Sequence, residues 1–189
     1  MNPRRLSQAI SEGDGISMIV VVDGPEAARD AEEGGADAVV VPDAAQLPSV
    51  RAATDLPIVV HLDGGSLDGA DACLVDVRDD DRELLERIHR QIGDSLELVV
   101  RTEQEDHLEF VLEEFDPGIL VLGAPRDADS GPIEWVLELL PDVPAGKLAI
   151  ADVGARTRDE VEELERAGVD AVIVSGDVAN LVGSEPPDV

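Results

Sequence analysis

The chain has 189 residues, of which 43 are acidic and 14 are basic, so its formal charge at pH 7 is −29. This length accommodates one well-buried core and is short for two domains. The charge argues against nucleic-acid binding, which needs clustered basic residues and usually stacking aromatics; here there are one Trp, two Phe and no Tyr. The single cysteine, Cys73, excludes an intramolecular disulfide and a cysteine-rich metal site.

The basic residues are almost all arginine, since Lys147 is the single lysine. An acidic surface without lysine is typical of cytoplasmic proteins from salt-accumulating organisms, because molar salt shortens the electrostatic screening length to about 3 Å. No apolar run is long enough to cross a membrane, and the N-terminal residues contain no hydrophobic signal core. We therefore expect a halophilic cytoplasmic protein with no membrane or nucleic-acid partner.

Eight short runs rich in Val, Ile and Leu recur along the chain, without the strict alternation of a sheet that faces water on one side. Such runs are typical of parallel strands covered on both faces. The predicted strands are Ser17–Asp23, Asp37–Asp43, Pro57–Asp63, Ala72–Arg78, Leu96–Glu103, Gly118–Ala124, Lys147–Gly154 and Asp170–Asp177.

Amphipathic segments separate most of these strands, and residues 3–11 could form a helix before the first one. The predicted helices are Pro25–Gly34, Asp81–Ile92, Gln104–Phe115, Ile133–Leu140 and Thr157–Ala167. Gly64–Ala70 is too short and glycine-rich for a full helix after strand 3, and only Val178–Val182 is left for a helix after strand 8. Strands that alternate with helices predict a parallel sheet.

Eight strands favour a closed barrel over an open sheet. The segments that begin at Ala31 and Leu164 repeat one pattern of helix end, glycine turn and strand. We therefore predict an α/β fold, a compact (β/α)8 TIM barrel with reduced helices 3 and 8. One domain covers residues 1–183, and residues 184–189 form a short tail.

The segment from Leu148 to Asp177 has the strand–loop–helix–strand–loop pattern with which many barrels of this kind hold a phosphate. Gly154 and Gly176 would let backbone N–H groups approach the anion, with Ser175 beside them. The pattern predicts a small phosphorylated metabolite as the ligand.

Two parts of this segment resemble the indole-3-glycerol phosphate synthase family: Ile150-Ala-Asp-Val-Gly-Ala-Arg-Thr-Arg-Asp-Glu-Val and Ala167-Gly-Val-Asp-Ala-Val-Ile-Val-Ser-Gly. The resemblance implies a phosphate-binding barrel and assigns the phosphate loops to Gly154, Ser175 and Gly176. The family has lysines at the ends of strands 1 and 3, where this chain has Asp23 and His61. Lys147, at the start of strand 7, replaces neither, so we do not expect synthase activity.

Reactive groups of this fold lie at the carboxyl ends of strands. His61 interrupts an otherwise apolar strand there and is the candidate general acid, with Asp152 or Glu103 as its partner. Arg78 and Arg101 end strands 4 and 5, where they would either clamp an anionic group of the substrate or neutralise the acids of the mouth.

Three functions fit these residues. The first is a lyase or isomerase that uses acid–base chemistry on a phosphorylated metabolite and needs neither cofactor nor metal. The second is a synthase-like barrel without catalysis that acts as a binding or regulatory protein. The third is a metal-assisted lyase in which His61, Asp63 and either Asp23 or Asp76 hold Mg²⁺. The sequence does not determine the oligomeric state.

We expect folding to require high salt, because 29 uncompensated negative charges repel one another when screening is weak. Circular dichroism melting followed from molar KCl down to about 0.1 M tests this expectation. The melting temperature should fall steadily as salt is removed, and a constant value would refute the halophilic interpretation.

Overall fold

The computed structural model describes residues 4–62, 65–77, 82–93, 95–176, 178 and 181. Eight parallel strands form a closed barrel in chain order, with β1 paired to β8. The strands are β1 (Ser17–Val21), β2 (Ala38–Val41), β3 (Ile58–His61), β4 (Ala72–Asp76), β5 (Glu97–Thr102), β6 (Ile119–Gly123), β7 (Leu148–Asp152) and β8 (Ala171–Ser175). The predicted TIM barrel is confirmed, and each strand lies within its predicted range.

The helices are α1 (Arg5–Glu12), α2 (Pro25–Glu33), α3 (Leu47–Arg51), α4 (Arg82–Ile92), α5 (Glu105–Glu114), α6 (Pro132–Leu139) and α7 (Arg158–Ala167). Short 3-10 turns precede α3 at Ala44–Gln46 and follow α6 at Leu140–Asp142. Within the described part of the chain, none of these helices combines the length and apolar character needed to cross a bilayer.

Two details of the helix prediction differ from the structure or fall outside it. Sequence reasoning missed α3, because five residues are too few to show helical periodicity. No helix forms over residues 65–71, in agreement with the reduced helix 3. The predicted Val178–Val182 helix and the 184–189 tail lie outside the described residues, apart from positions 178 and 181.

Two apolar shells explain why the strands lack polar alternation. Alternate side chains of a strand face opposite ways, so half of each strand fills the barrel and half packs under the helices. Each strand contributes one residue to a shared layer inside the barrel: Ile19, Val40, Val59, Leu74, Val99, Val121, Ile150 and Ile173. The outward-facing neighbours belong to the second cluster, beneath the helices.

Cys73 belongs to this outer cluster and is fully buried. Burial raises the pKa of its thiol to about 11, so the side chain is neutral at physiological pH. Cys73 therefore packs as a small apolar residue, as its sequence context suggests.

The helix α1 closes the amino end of the barrel. Leu6 and Ile10 enter the interior cluster, and the Glu97 carboxylate accepts hydrogen bonds from the Leu6 and Ser7 amides at 2.8 and 3.1 Å. A carboxylate at a helix N-terminus satisfies amides that have no partner within the helix. The open end of the barrel is therefore the carboxyl end of the strands.

Lys147 lies at this closed end. Its ammonium group contacts the Asp116 carboxylate and the Pro117 carbonyl, each at 2.7 Å. The predicted placement of Lys147 away from the mouth agrees with these contacts.

An aspartate precedes three of the even-numbered strands and binds the strand before it. Its carboxylate accepts a hydrogen bond from a backbone amide of that strand, at 2.8 to 3.0 Å. The pairs are Asp37 with Met18, Asp71 with Ile58, and Asp170 with Ala149. A glycine with left-handed φ lies two residues earlier in each case: Gly35, Gly69 and Gly168. The repeat visible in the sequence therefore has a third copy, before β4.

Burial raises the pKa of Asp37 above its ordinary value, although the hydrogen bond from Met18 opposes this rise. Asp37 thus contributes stability that is fully present below the unfolded carboxyl pKa of about 3.9 and is lost as pH rises through the raised pKa. The Asp37→Asn variant keeps a hydrogen-bond acceptor at this position and does not ionise, so it does not lose this stability as pH rises. We therefore expect the unfolding free energy of the variant, relative to that of the wild type, to increase from about pH 3 to pH 7.

Urea unfolding at both pH values in molar KCl measures this difference. As a control, Asp37→Ala removes the hydrogen-bond acceptor, and its unfolding free energy should be about 1–3 kcal/mol lower than that of the wild type at each pH. A relative stability of the Asn variant that falls as pH rises would contradict the assignment.

Candidate functional site at the barrel mouth

Polar side chains follow the apolar interior layer at the open end of the barrel. Because side chains alternate along a strand, the residue two positions beyond an interior residue faces the same way. On β3, β4, β5 and β7 that residue is His61, Asp76, Arg101 and Asp152. The strands therefore carry four reactive groups to one ring around the mouth.

Arg101 is the centre of this ring. Its Nε donates to Asp152 Oδ2 at 3.0 Å, and its NH1 donates to Glu103 Oε1 at 2.5 Å. The same NH1 lies 3.5 Å from Asp76 Oδ1. The Arg101 side chain is 18% exposed, so this cation interacts with three carboxylates in a partly desolvated position. Of the two roles predicted for Arg101, the contacts show neutralisation of the mouth's own acids.

The ionised form of Arg101 is strongly favoured. Burial alone lowers the pKa of a guanidinium, but the hydrogen bond to Glu103 and the charges of Asp152, Glu103 and Asp76 raise the pKa of Arg101 above its ordinary value. Arg101 is therefore a permanent cation and does not serve as a proton donor.

Gly123 provides the space that Arg101 occupies. It ends β6, between the strands that carry Arg101 and Asp152, and pairs in register with Asp152. A Cβ built at Gly123 would lie 2.5 Å from Arg101 NH2 and 2.9 Å from Cζ. Sequence reasoning missed the role of Gly123, because a glycine carries no chemical signal.

His61 hydrogen bonds to Asp76, with 2.9 Å between Nε2 and Oδ2. Asp152 and Glu103, predicted as its partners in acid–base chemistry, bind Arg101. An ionised carboxylate only accepts hydrogen bonds, so Nε2 is assigned as the donor and Nδ1 as the acceptor of the neutral ring. The His–Asp pair thus defines which imidazole nitrogen can take up a proton.

The predicted phosphate loops lie beside this ring, after β7 and β8. Gly154 and Gly176 have left-handed φ values of 65° and 101°, and a Cβ at either would meet no atom within 4 Å. Among the described residues, neither glycine amide donates a hydrogen bond, and the side chain of Ser175 is exposed. Two backbone donors and one hydroxyl therefore border open space.

The amino end of α7 is already occupied by its own side chains. Glu160 Oε2 accepts hydrogen bonds from the Arg156 and Thr157 amides at 2.7 and 3.0 Å, and Thr157 Oγ1 accepts one from the Glu160 amide. The two backbone bonds lower the pKa of Glu160, which stays ionised. An anion at the mouth would therefore meet the glycine turn rather than the end of α7.

Two candidates lie outside the described residues: Arg78, predicted to bind the substrate, and Asp63 of the magnesium alternative. Within the ranges that the structure describes, no three His, Cys, Asp or Glu side chains are arranged to hold a metal ion.

The sequence did not suggest one further contact, which joins Glu103 to α6. Trp135 Nε1 donates to the Glu103 carbonyl at 2.8 Å, so the residue after β5 is held through both its main chain and its carboxylate. A partly buried tryptophan on a predicted helix gives no indication of its hydrogen-bond acceptor, which depends on tertiary packing.

Comparisons with known proteins agree with the barrel. No family model matches the chain. It is 28% identical to the indole-3-glycerol phosphate synthase of Variovorax paradoxus (strain S110), in an alignment that covers 91% of this chain and 65% of that protein. Among solved structures, it is similar to an oxaloacetate acetylhydrolase in complex with the product oxalate, with a TM-score of 0.67 and 14% identity. That match covers 95% of this chain and 81% of the other, and it concerns the fold alone.

Arg101→Met should lower the unfolding free energy by about 2 kcal/mol, because three carboxylates lose their common cation. This loss of unfolding free energy is smaller than that for a fully buried ion pair, because Asp152 and Glu103 are each 34% exposed. Asp152→Asn should destabilise the wild type and stabilise the Arg101→Met variant.

A double-mutant cycle by denaturant unfolding measures this sign change, with an expected coupling of about 1 kcal/mol. Additive effects of the two substitutions would show that the 3.0 Å contact between Arg101 and Asp152 contributes nothing to stability.

Proposed function

We propose that this protein binds a small phosphorylated metabolite at the barrel mouth and exchanges a proton with it through His61, as a lyase or isomerase does. The observation that carries the proposal is the His61–Asp76 hydrogen bond of 2.9 Å, at the end of the barrel where the Gly154 and Gly176 amides have no acceptor among the described residues. A proton-exchanging group and an anion-binding turn thus border one opening.

The phosphate would bind through backbone donors. Amides of left-handed glycine turns form concave sites for anions, and the open space at Gly154 and Gly176 lets an anion approach closely. Ser175 adds a hydroxyl between them. The 28% identical synthase of V. paradoxus acts, by its name, on a phosphate compound, which supports this ligand class.

The proton would move at His61 Nδ1. Asp76 holds the ring in one orientation and stabilises its protonated form, so the imidazole can accept a proton and later return it. Asp152 and Glu103 each use one oxygen to bind Arg101 and keep a second oxygen that does not. Either carboxylate could act as the second proton carrier.

One observation favours the second candidate, a binding or regulatory barrel. Arg101, the cation on the strands of the mouth, is already paired with three carboxylates, and Lys147 lies at the closed end of the barrel. A barrel that retains the phosphate turns without a cation to polarise a substrate carbonyl would bind its ligand and release it unchanged.

The distribution of acids supports adaptation to high salt. Asp71 is the single acidic residue that is buried among those described, so the negative charge lies at the surface. A solvated acidic surface of this kind is tolerated when salt screens the repulsion.

Inorganic phosphate and glycerol 3-phosphate should raise the melting temperature in molar KCl. At about a hundredfold excess over Kd, a ligand that binds only the folded state adds about 2.7 kcal/mol. Gly154→Asp should abolish this stabilisation, because it places a negative charge where the anion binds.

Gly93→Asp is the matched control. Gly93 also has left-handed φ, at 51°, and open space around its Cβ, but it follows α4 at the closed end. The Gly93→Asp substitution introduces the same strain and charge as Gly154→Asp. Phosphate should still raise the melting temperature of this variant. If neither phosphate compound stabilises the wild type, the mouth glycines serve only as turn residues.

Proton exchange distinguishes the two candidate functions. The wild type should catalyse exchange of the carbon-bound protons of dihydroxyacetone phosphate with D₂O, followed by proton NMR. His61→Gln should slow this exchange by about 10²–10⁴-fold, and His107→Gln, on α5, should not. Binding without exchange in the wild type would favour the binding or regulatory function.

A further inference from the structure

We propose that Arg101 is a positioning residue: it orients Asp76 toward His61 and does not bind the substrate, and Gly123 is the residue that permits this placement. The inference rests on the proposed function in one respect, since it takes His61 as the proton-exchanging group.

Asp76 lies between a permanent cation and the imidazole. Its Oδ2 is 2.9 Å from His61 Nε2, and its Oδ1 is 3.5 Å from Arg101 NH1. Each carboxylate oxygen thus faces one of the two groups. Rotation of Asp76 away from His61 would also separate it from Arg101, so the cation favours the orientation in which the imidazole is held.

The guanidinium is itself held from two other sides. Asp152 binds Nε at 3.0 Å and Glu103 binds NH1 at 2.5 Å, so Arg101 cannot swing toward the solvent without losing both bonds. Asp152 is the last residue of β7, and Glu103 immediately follows β5. Through Arg101, Asp76 on β4 is therefore linked to Asp152 on β7, across the mouth.

The same contacts remove Arg101 from the list of anion ligands. Nε and NH1 bind carboxylates, and NH2 lies over Gly123, 2.5 Å from the place a Cβ would take. Three negative groups surround one positive charge, so the environment of Arg101 is already more than neutralised. A substrate phosphate would have to displace a carboxylate to reach it.

Gly123 is required for space rather than for conformation. Its φ lies outside the left-handed region, and the three atoms nearest to an added Cβ all belong to Arg101. Gly123→Ala should therefore fold, with the flexible end of Arg101 displaced from its three partners. This substitution moves the cation without removing any charge, which separates position from charge.

Gly118→Ala is the matched control, since Gly118 immediately precedes the same strand and a Cβ there would meet no atom within 4 Å. Arg101→Met is the second variant, which removes the charge at similar volume. Circular dichroism and melting in molar KCl establish that each variant is folded.

The readout is the proton on His61 Nε2. A ring N–H bound to a carboxylate resonates downfield in the proton NMR spectrum and exchanges slowly with water. The signal is assigned by its loss in His61→Gln, while His89 and His107 remain. Gly123→Ala and Arg101→Met should each speed its exchange by about tenfold or more, and Gly118→Ala should leave it unchanged.

The outcomes decide as follows. Faster exchange in both Gly123→Ala and Arg101→Met, with Gly118→Ala unchanged, supports the positioning role. Unchanged exchange in folded Arg101→Met overturns it, as does equally fast exchange in Gly118→Ala. If Gly123→Ala does not fold, Arg101→Met alone decides. Because the signal requires no substrate, a failure of the proposed function leaves this test intact.

Discussion

Burial on both faces of every strand is the constraint on which the rest of the structure depends. The barrel interior is filled by one or two apolar residues from each strand, and α1 closes its amino end with Leu6 and Ile10. Polar side chains that face the barrel axis and reach the open end must therefore lie beyond this apolar interior. The ring of His61, Asp76, Arg101 and Asp152 follows from the alternation of side chains along strands that have no solvent-exposed face.

Within that ring, the electrostatics depend on Arg101. Asp76, Glu103 and Asp152 each carry a negative charge, and Arg101 carries one positive charge. Together these four residues carry a net negative charge when His61 is neutral. Without the guanidinium, three partly desolvated carboxylates would repel one another. Arg101 offsets this repulsion, and the carboxylate of Asp76 accepts the hydrogen bond from the His61 N–H.

The fold could be predicted from the sequence because its signal is repeated. Eight apolar runs and a duplicated glycine turn indicate a barrel whatever the position of any single boundary, whereas α3 has five residues and no periodicity to detect. The pairing within the site could not be predicted, because it depends on which strand neighbours which and in what register. His61 stands opposite Leu74, which places Asp76 within its reach. The sequence analysis named Asp76 beside His61 only as a possible magnesium ligand, and nothing in the sequence marks Gly123 as the space for a side chain from β5.

The acidic ring also bears on where a phosphate could bind. Asp152 lies two residues before Gly154, so an unpaired carboxylate there would repel an anion at the β7 turn. Arg101 Nε binds Asp152 at 3.0 Å and offsets this charge. A cation that does not touch the ligand can thus make an acidic mouth compatible with phosphate. The short-range pairing of Arg101 persists in concentrated salt better than long-range attraction to an anion would, since screening acts most strongly on distant charges.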